Sequence, residues 1–299
     1  MKILITGAAG FIGFHTAMRL LENKKNFVYG VDNLDNYYDV NIKKDRLNYL
    51  KKIKNFVFHK VDINNQKKIK NIIIKNKITH IINLAAQAGV LYSIENPRKY
   101  LDTNIIGFYN LLEACRDCKI SHLIYASTSS VYGDNSNFPL REDEPVNKPL
   151  SFYAATKISN EVMAHSFSNV YGLRSTGLRF FTVFGPFGRP DMSLFKFTKA
   201  ILNREYITLF NKGNHVRDFT YIDDVVDVIT KLLNKPPNSD IPHDVFNVGS
   251  SDPQELHKYL KEIETLIGKK AKIKKILKIF YHPLRIQSYK LKKIKLSKK

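Results

Sequence analysis

The sequence predicts a doubly wound α/β fold with a smaller C-terminal lobe, and three observations predict it. Short apolar runs alternate with helical patterns through the first half, the rhythm of βαβ units in a parallel sheet. A glycine-rich turn joins the first strand to the first helix, and an acidic residue ends the second strand. In order, strands are expected at Lys2–Thr6, Phe27–Asp32, Phe56–Lys60, His80–Asn83, 122–126 and Ser175–Phe180, with helices at 10–23, 65–76, 104–119 and 154–171 between them. After Phe181 the alternation breaks at Gly-Pro-Phe-Gly-Arg-Pro. A helix at 193–203, a strand at 207–210, a helix after Asp223, a strand at 245–248 and a helix at 255–267 follow. The expected division is a dinucleotide-binding domain over 1–180, to which 214–248 returns, and a substrate-binding lobe from 181–213 and 249–299. Ligands of open parallel sheets sit beyond the carboxyl ends of the strands, which the irregular second half faces.

At 299 residues, 43% hydrophobic and 25% charged, the chain has the make-up of a globular protein and not of a disordered one. No run of 18 apolar residues occurs, and Met1-Lys2 leads directly into strand residues. No spanning helix, membrane partner or secretory signal is therefore expected, and the expected compartment is the cytoplasm. The formal charge of +21 raises nucleic acid as a partner, yet 13 Lys and Arg with no Asp or Glu fall in 269–299. Much of the remaining excess lies in Lys-Ile-Asn stretches between 43 and 77 without aromatic platforms. A solvated lysine-rich face is expected there, and no nucleic-acid partner. Cys115 and Cys118 close a helical pattern instead of opening one, and no His cluster stands near them, so they read as packing residues and no metal site is expected.

The turn Thr6-Gly7-Ala8-Ala9-Gly10-Phe11-Ile12-Gly13 has GxxGxxG spacing. Glycines there permit a tight bend, let backbone amides approach a pyrophosphate and let helix pack on strand, while the helix N-terminus favours negative charge. Asp32 ends the second strand, where its carboxylate accepts hydrogen bonds from an adenosine ribose and repels a 2′-phosphate; NAD is expected over NADP. Asp62 follows the third strand, with helix capping and adenine contact both open. Small residues in Asn83-Leu84-Ala85-Ala86-Gln87-Ala88-Gly89 let a cofactor lie against backbone. Tyr153-Ala-Ala-Thr-Lys157 places a phenol and an ammonium on one helix face, where the charge lowers the phenol's pKa toward a usable general base. Thr128, at the end of the fifth strand, supplies a hydroxyl to hold a substrate oxygen.

With these motifs together, residues 2–267 resemble the extended short-chain dehydrogenase/reductase superfamily, a Rossmann fold, and within it the nucleotide-sugar 4-epimerases. The runs Val31-Asp32-Asn33-Leu34-Asp35-Asn36-Tyr37-Tyr38-Asp39, Tyr92-Ser93-Ile94-Glu95-Asn96-Pro97 and Arg179-Phe180-Phe181-Thr182-Val183-Phe184-Gly185-Pro186 look most like UDP-glucuronate 4-epimerases of capsule biosynthesis. The resemblance implies that Thr128 bonds the sugar 4-oxygen, Tyr153 removes the 4-OH proton and Lys157 binds the nicotinamide ribose. It implies that NAD takes the C4 hydride and returns it to the opposite face of a rotated 4-keto sugar, with no net redox change. It also implies cofactor binding by Gly7, Gly10, Phe11, Ile12, Gly13, Asp32, Asn33, Asp62, Ile63, Leu84, Ala85, Ala86, Gln87 and Asn104, besides Tyr153 and Lys157. The UDP-sugar falls to Ser129, Ser130, Thr182, Arg189 and Arg217, and a homodimer pairs through helices 104–119 and 154–171. Ser129 and Ser130 stand where resembling dehydratases carry an Asp-Glu pair and decarboxylases a Glu; hydroxyls there suit a uronate carboxylate, or cap the strand end. Thr182 replaces the Asn typical of UDP-galactose 4-epimerases. Arg217 opens the signature Arg217-Asp218-Phe219-Thr220-Tyr221-Ile222-Asp223-Asp224-Val225, in which the Arg meets the diphosphate, and Asp223 is expected to cap the following helix.

Two departures stand against the pattern. Leu91 occupies a place where relatives usually carry Arg, which removes one anion contact at the substrate mouth. Beyond about 268, Lys-Ile-rich sequence through Tyr281-His282-Pro283-Leu284-Arg285-Ile286 replaces the Gly-Asp-rich segment with which relatives close the lobe. The lobe is therefore expected to be shortened, with apolar residues exposed. A UDP-glucuronate 4-epimerase is the first reading and a UDP-glucose or UDP-galactose 4-epimerase the second. From another class comes a protein that holds NAD without turnover, and the last is an anion- or nucleic-acid-binding protein driven by the basic tail.

Overall fold

The computed structural model describes residues 1–135, 139–214 and 216–276. The first half forms β1 (Lys2–Thr6), α1 (Phe11–Glu22), β2 (Phe27–Asp32), α2 (Val40–Lys51), β3 (Phe56–Lys60), α3 (Gln66–Asn76), β4 (His80–Asn83), α4 (Val90–Glu95) and α5 (Pro97–Tyr100). A π-helical turn (Leu101–Ile106) leads into α6 (Gly107–Asp117), then come β5 (His122–Thr128), a 3-10 turn (Ser129–Tyr132), α7 (Phe152–Tyr171) and β6 (Ser175–Phe180). The second half forms β7 (Thr182–Phe184), α8 (Ser193–Leu202), β8 (Tyr206–Phe210), β9 (Val216–Tyr221), α9 (Ile222–Leu233), β10 (His243–Val248), β11 (Pro253–Glu255), α10 (Leu256–Ile267) and β12 (Lys272–Ile276).

Seven parallel strands pair in the order β10-β6-β5-β4-β1-β2-β3. The winding direction reverses between β1 and β4, which is where a doubly wound sheet opens its crevice. Leu4, Ile5, Ile81 and Ile82 are fully buried because helices cover both faces. Helices α1 and α9 close one face through Phe14, Leu20, Val225 and Ile229. On the other, α3, α6 and α7 supply Ile73, Leu111 and Ala164. Cys115 lies in this second layer with its thiol pushed up by burial, and both cysteines are free, as packing residues are. No helix among the described residues is long and apolar enough to cross a membrane.

Four features correct the expectations. Helix α2 has no counterpart among them, because two of its four buried residues are Lys43 and Arg46 and its apolar period is therefore hidden. Residues 43–77 are thus not wholly a solvated lysine face. Strands β7, β9 and β11 make a separate three-stranded sheet whose three-residue outer strands are too short to show a period. The helix expected from Asn104 begins as the π-helical turn, and only from Gly107 is it α-helical. Asp223 does not cap α9: Tyr221 is the N-cap residue, and Asp223 and Asp224 sit in the first turn, where the helix dipole favours negative charge.

The second lobe has its own core of Phe197, Ile201, Ile207, Leu260 and Ile263 from α8, β8 and α10, with β12 laid parallel to β8. Leu202, Tyr206 and Leu266 on these elements are 52%, 70% and 86% exposed. Residues 277–299, which hold most of the atypical basic tail and the Tyr281 to Ile286 stretch, lie outside the described residues.

Candidate active site

A cavity of about 800 Å³ runs along the carboxyl edge of the sheet over the β1/β4 reversal, bordered on its far side by Thr182, Arg189 and Arg217. Its floor is the glycine-rich turn. Gly7 adopts φ +71°, and a Cβ there would lie 2.7 Å from the Ala85 nitrogen; a Cβ on Gly13 would lie 2.2 Å from the Gly7 carbonyl oxygen. The N-cap of α1 is Gly10, which brings no side chain to its first amides, and Gly10, Phe11, Ile12 and Gly13 border the cavity at that helix end. At the end of β2, buried Asp32 accepts from Ala9 N at 3.1 Å and Leu34 N at 2.8 Å. Burial raises its pKa, and Lys43 pulls against that shift. Asn33 donates to Asp62 Oδ2 at 2.7 Å, while Asp62 Oδ1 accepts from Asn64 N at 2.8 Å. Asn65, not Asp62, caps α3. Asp62 and Ile63 line the cavity next to Asn33, and Leu84, Ala85, Ala86 and Gln87 form the β4 side of its wall.

Asn104 stands behind that wall. Its Oδ1 accepts from Gln87 N at 2.8 Å, and its Nδ2 donates to Gln87 O and to Thr156 Oγ1, each at 3.0 Å. With its side chain bonded in this way it braces Gln87 against α7.

Thr128, Tyr153 and Lys157 meet at the centre. Ser151 caps α7, accepting from Ala154 N at 3.1 Å, and the helical period then turns Tyr153 and Lys157 to the same side. Lys157 is buried and donates to Ala126 O at 2.9 Å; burial lowers its pKa to about 8 although Glu161 opposes the shift. Burial raises the Tyr153 phenol, against a hydrogen bond with Thr128 and the charge of Arg189. The charge of Arg189 thus favours ionisation of the phenol against its burial. Thr128 caps the 3-10 turn, accepting from Ser130 N and donating to Ser130 Oγ, both at 3.2 Å, and Ser129 completes a run of three hydroxyls on the cavity wall.

On the opposite wall Arg189 pairs with Asp191 and stands over the ring of Tyr37, whose hydroxyl donates to Asp191 Oδ2 at 3.1 Å. Burial first, then Asp191, pushes the Tyr37 phenol up to about 12. Against burial, Arg189 holds the Asp191 carboxyl below its ordinary value. Arg217, on β9, and Thr182, on β7, border the same end, and Leu91 lies at the rim, 46% exposed.

Sequence reasoning missed a buried network behind Lys157. Glu161, one further turn along α7, takes two hydrogen bonds from Arg179 at 3.0 and 2.8 Å and one from Ser127 at 2.5 Å. Arg179 also reaches Tyr132, which donates to Asn247 on β10 at 2.6 Å, so β5, β6, β10 and α7 are tied together. The spacing 153, 157, 161 on one helix face was the signal available for it. Tyr37 and Asp191 had none, since they meet from distant segments.

The model of the NAD dependent epimerase/dehydratase family matches residues 3–249. Protein CapI of Staphylococcus aureus is 49% identical over 286 residues, 91% of this chain and 85% of that protein. A UDP-glucuronate 4-epimerase of Thermodesulfobacterium geofontis is 45% identical over 270 residues, 90% of this chain and 81% of that protein. The crystal structure of UDP-glucuronic acid 4-epimerase from Bacillus cereus in complex with UDP-glucuronic acid and NAD superposes with a TM-score of 0.89 at 33% identity, covering 97% of this chain and 90% of that one. With a glycine-rich turn, a Thr-Tyr-Lys cluster and a parallel sheet common to one continuous match, the chain belongs to the NAD dependent epimerase/dehydratase family.

Proposed function

We propose that the protein is an NAD-dependent nucleotide-sugar 4-epimerase that interconverts UDP-glucuronate and UDP-galacturonate. The observation that carries this is one cavity holding Thr128, Tyr153 and Lys157 beside the glycine-rich turn, in a chain 45% identical to a UDP-glucuronate 4-epimerase.

The turn fits a dinucleotide: side chains are excluded at Gly7 and Gly13 by backbone 2.7 and 2.2 Å away, and the N-terminal end of α1 borders the space where a pyrophosphate would lie. Gly10, Phe11, Ile12 and Gly13 would hold the pyrophosphate, Asp32 and Asn33 the adenosine ribose, Asp62 and Ile63 the adenine, and Leu84, Ala85, Ala86 and Gln87 the nicotinamide half. The chemistry supplied there by NAD is reversible acceptance of the sugar C4 hydride. Tyr153 takes the 4-OH proton as general base and returns it; burial opposes its ionisation, while Thr128 and Arg189 favour it. Thr128 orients the 4-oxygen, and Lys157 would meet the ribose. Ser129, Ser130 and Thr182 offer hydroxyls to a C6 carboxylate, without a carboxylate side chain at 129–130 to repel it. Arg189 and Arg217 face the anionic UDP-sugar from the far wall. Exposed Tyr109 on α6 and Val162, Val170 and Tyr171 on α7 support a homodimer packed through these two helices.

The test is incubation of the purified protein with UDP-glucuronate, with and without added NAD, and separation of the UDP-sugars, with UDP-glucose in parallel. Conversion of UDP-glucuronate alone is expected. Conversion of UDP-glucose alone transfers the assignment to the other epimerase, and bound NAD with neither sugar converted overturns it.

A further inference from the structure

Helix α2 turns one guanidinium fully into the interior, where every hydrogen-bond partner it finds is neutral. Arg46 Nη1 donates to Ala9 O at 2.9 Å and Tyr38 Oη at 2.8 Å, and Nη2 to Phe187 O at 2.6 Å and Gly188 O at 3.3 Å. Its Nε meets no acceptor among the described residues. Asp32 feels the charge only through space. A buried cation held by carbonyls is costly, and apolar packing would stabilise α2 better.

The carbonyls themselves suggest what the cost achieves. Ala9 belongs to the glycine-rich turn, and Phe187 and Gly188 begin the segment that carries Arg189 and Asp191 into the cavity. That segment is pinned twice more from the dinucleotide side. The Phe187 ring packs against Phe14 and Tyr49 at 5.2 and 5.4 Å, and His15 Nε2 meets Pro186 O at 2.9 Å. Phe187 does this from φ +55°, a conformation unfavourable for a side chain of its size.

We propose that Arg46 is a positioning residue that ties the strap 185–192 to the glycine-rich turn, so that Arg189 and Asp191 are presented to the sugar nucleotide in register with a dinucleotide seated on that turn. The proposal rests on the epimerase reading for its substrate, but the tie itself is a property of the chain.

The test uses the NAD-loaded protein as purified and two variants at the tie, Arg46→Met and Arg46→Lys. The second keeps the charge and loses the fork that reaches both the turn and the strap, so it decides the matter if Arg46→Met fails to fold; Phe187→Gly, which leaves every Arg46 hydrogen bond in place, is the control for the ring anchor alone. Hydrogen exchange is followed at Gly188 and Met192, whose amides bond to Gly185 O and Arg189 O within the strap. UDP-glucuronate kinetics are measured alongside. Exchange in the strap is expected to rise about tenfold or more in both Arg46 variants, and KM to rise about tenfold with a smaller change in kcat, in keeping with lost hydrogen bonds. NAD content of the Phe187→Gly protein is expected to match wild type. Unchanged strap exchange in the folded Arg46 variants, or a lower melting temperature as the only effect, overturns the proposal. If wild type converts no UDP-glucuronate, the epimerase reading falls, and strap exchange alone then decides whether Arg46 makes the tie.

Discussion

Replacing Lys157 by Met is expected to abolish turnover and yet make the nucleotide-free protein more stable at neutral pH. Burial lowers the Lys157 ammonium from 10.5 to about 8. Each unit corresponds to roughly 1.4 kcal/mol, so keeping this side chain charged at pH 7 works against folding by roughly 3 kcal/mol. Methionine has a similar reach and no charge; it forfeits the 2.9 Å bond to Ala126 O, a loss of about 1–2 kcal/mol. The net expectation is a gain of about 1–2 kcal/mol at pH 7. An ammonium whose folded pKa lies below its unfolded value leaves the unfolded chain as the better proton binder between the two, so wild-type stability rises with pH from about 8 toward 10.5. By pH 9.5 roughly half or more of the penalty is gone, and the two proteins should be nearly equal. Urea unfolding at both pH values reads this directly, with midpoints compared at equal m. A variant less stable than wild type at pH 7, or a difference that does not shrink by pH 9.5, refutes the argument that burial suppresses this charge.

Glu161→Gln should move stability the other way. It leaves Arg179, with only 4% of its side chain exposed, without a counter-charge, a loss of about 3 kcal/mol or more; a urea midpoint within about 0.5 kcal/mol of wild type counts against the network. Gly13→Ala forces a Cβ to 2.2 Å from the Gly7 carbonyl oxygen, so the turn must distort, and protein purified in this form should carry far less NAD per chain than wild type. Tyr153→Phe keeps the ring and loses the proton acceptor: epimerisation should fall about 10²- to 10⁴-fold with NAD content unchanged, and near-normal turnover would remove Tyr153 from the role of base.

What the sequence revealed and what it concealed divide along one physical line. Gly10 and Gly13 were legible because their constraint is local, set by the Gly7 carbonyl a few residues back, and Tyr153 with Lys157 because a helix repeats every 3.6 residues. The polar residues assigned to ligand contact by motif also carry contacts inside the protein that no motif shows. Asn104 bonds Gln87 and Thr156, 17 and 52 residues away, and Arg189 pairs with Asp191 two residues on. In each case the side chain fixes a neighbour that borders the cavity. Helix α2 makes the same point in reverse: Lys43 and Arg46 look solvent-facing in sequence, and inward orientation makes sense only once Asp35 O, Ala9 O and the 187–188 carbonyls are known to converge on them. A net charge of +21 therefore says little about the site, since the cations that shape it are the few whose acceptors no local pattern announces. It follows that substitutions at Arg46 or Glu161, which the resemblance did not single out, should perturb the site as surely as those at motif positions.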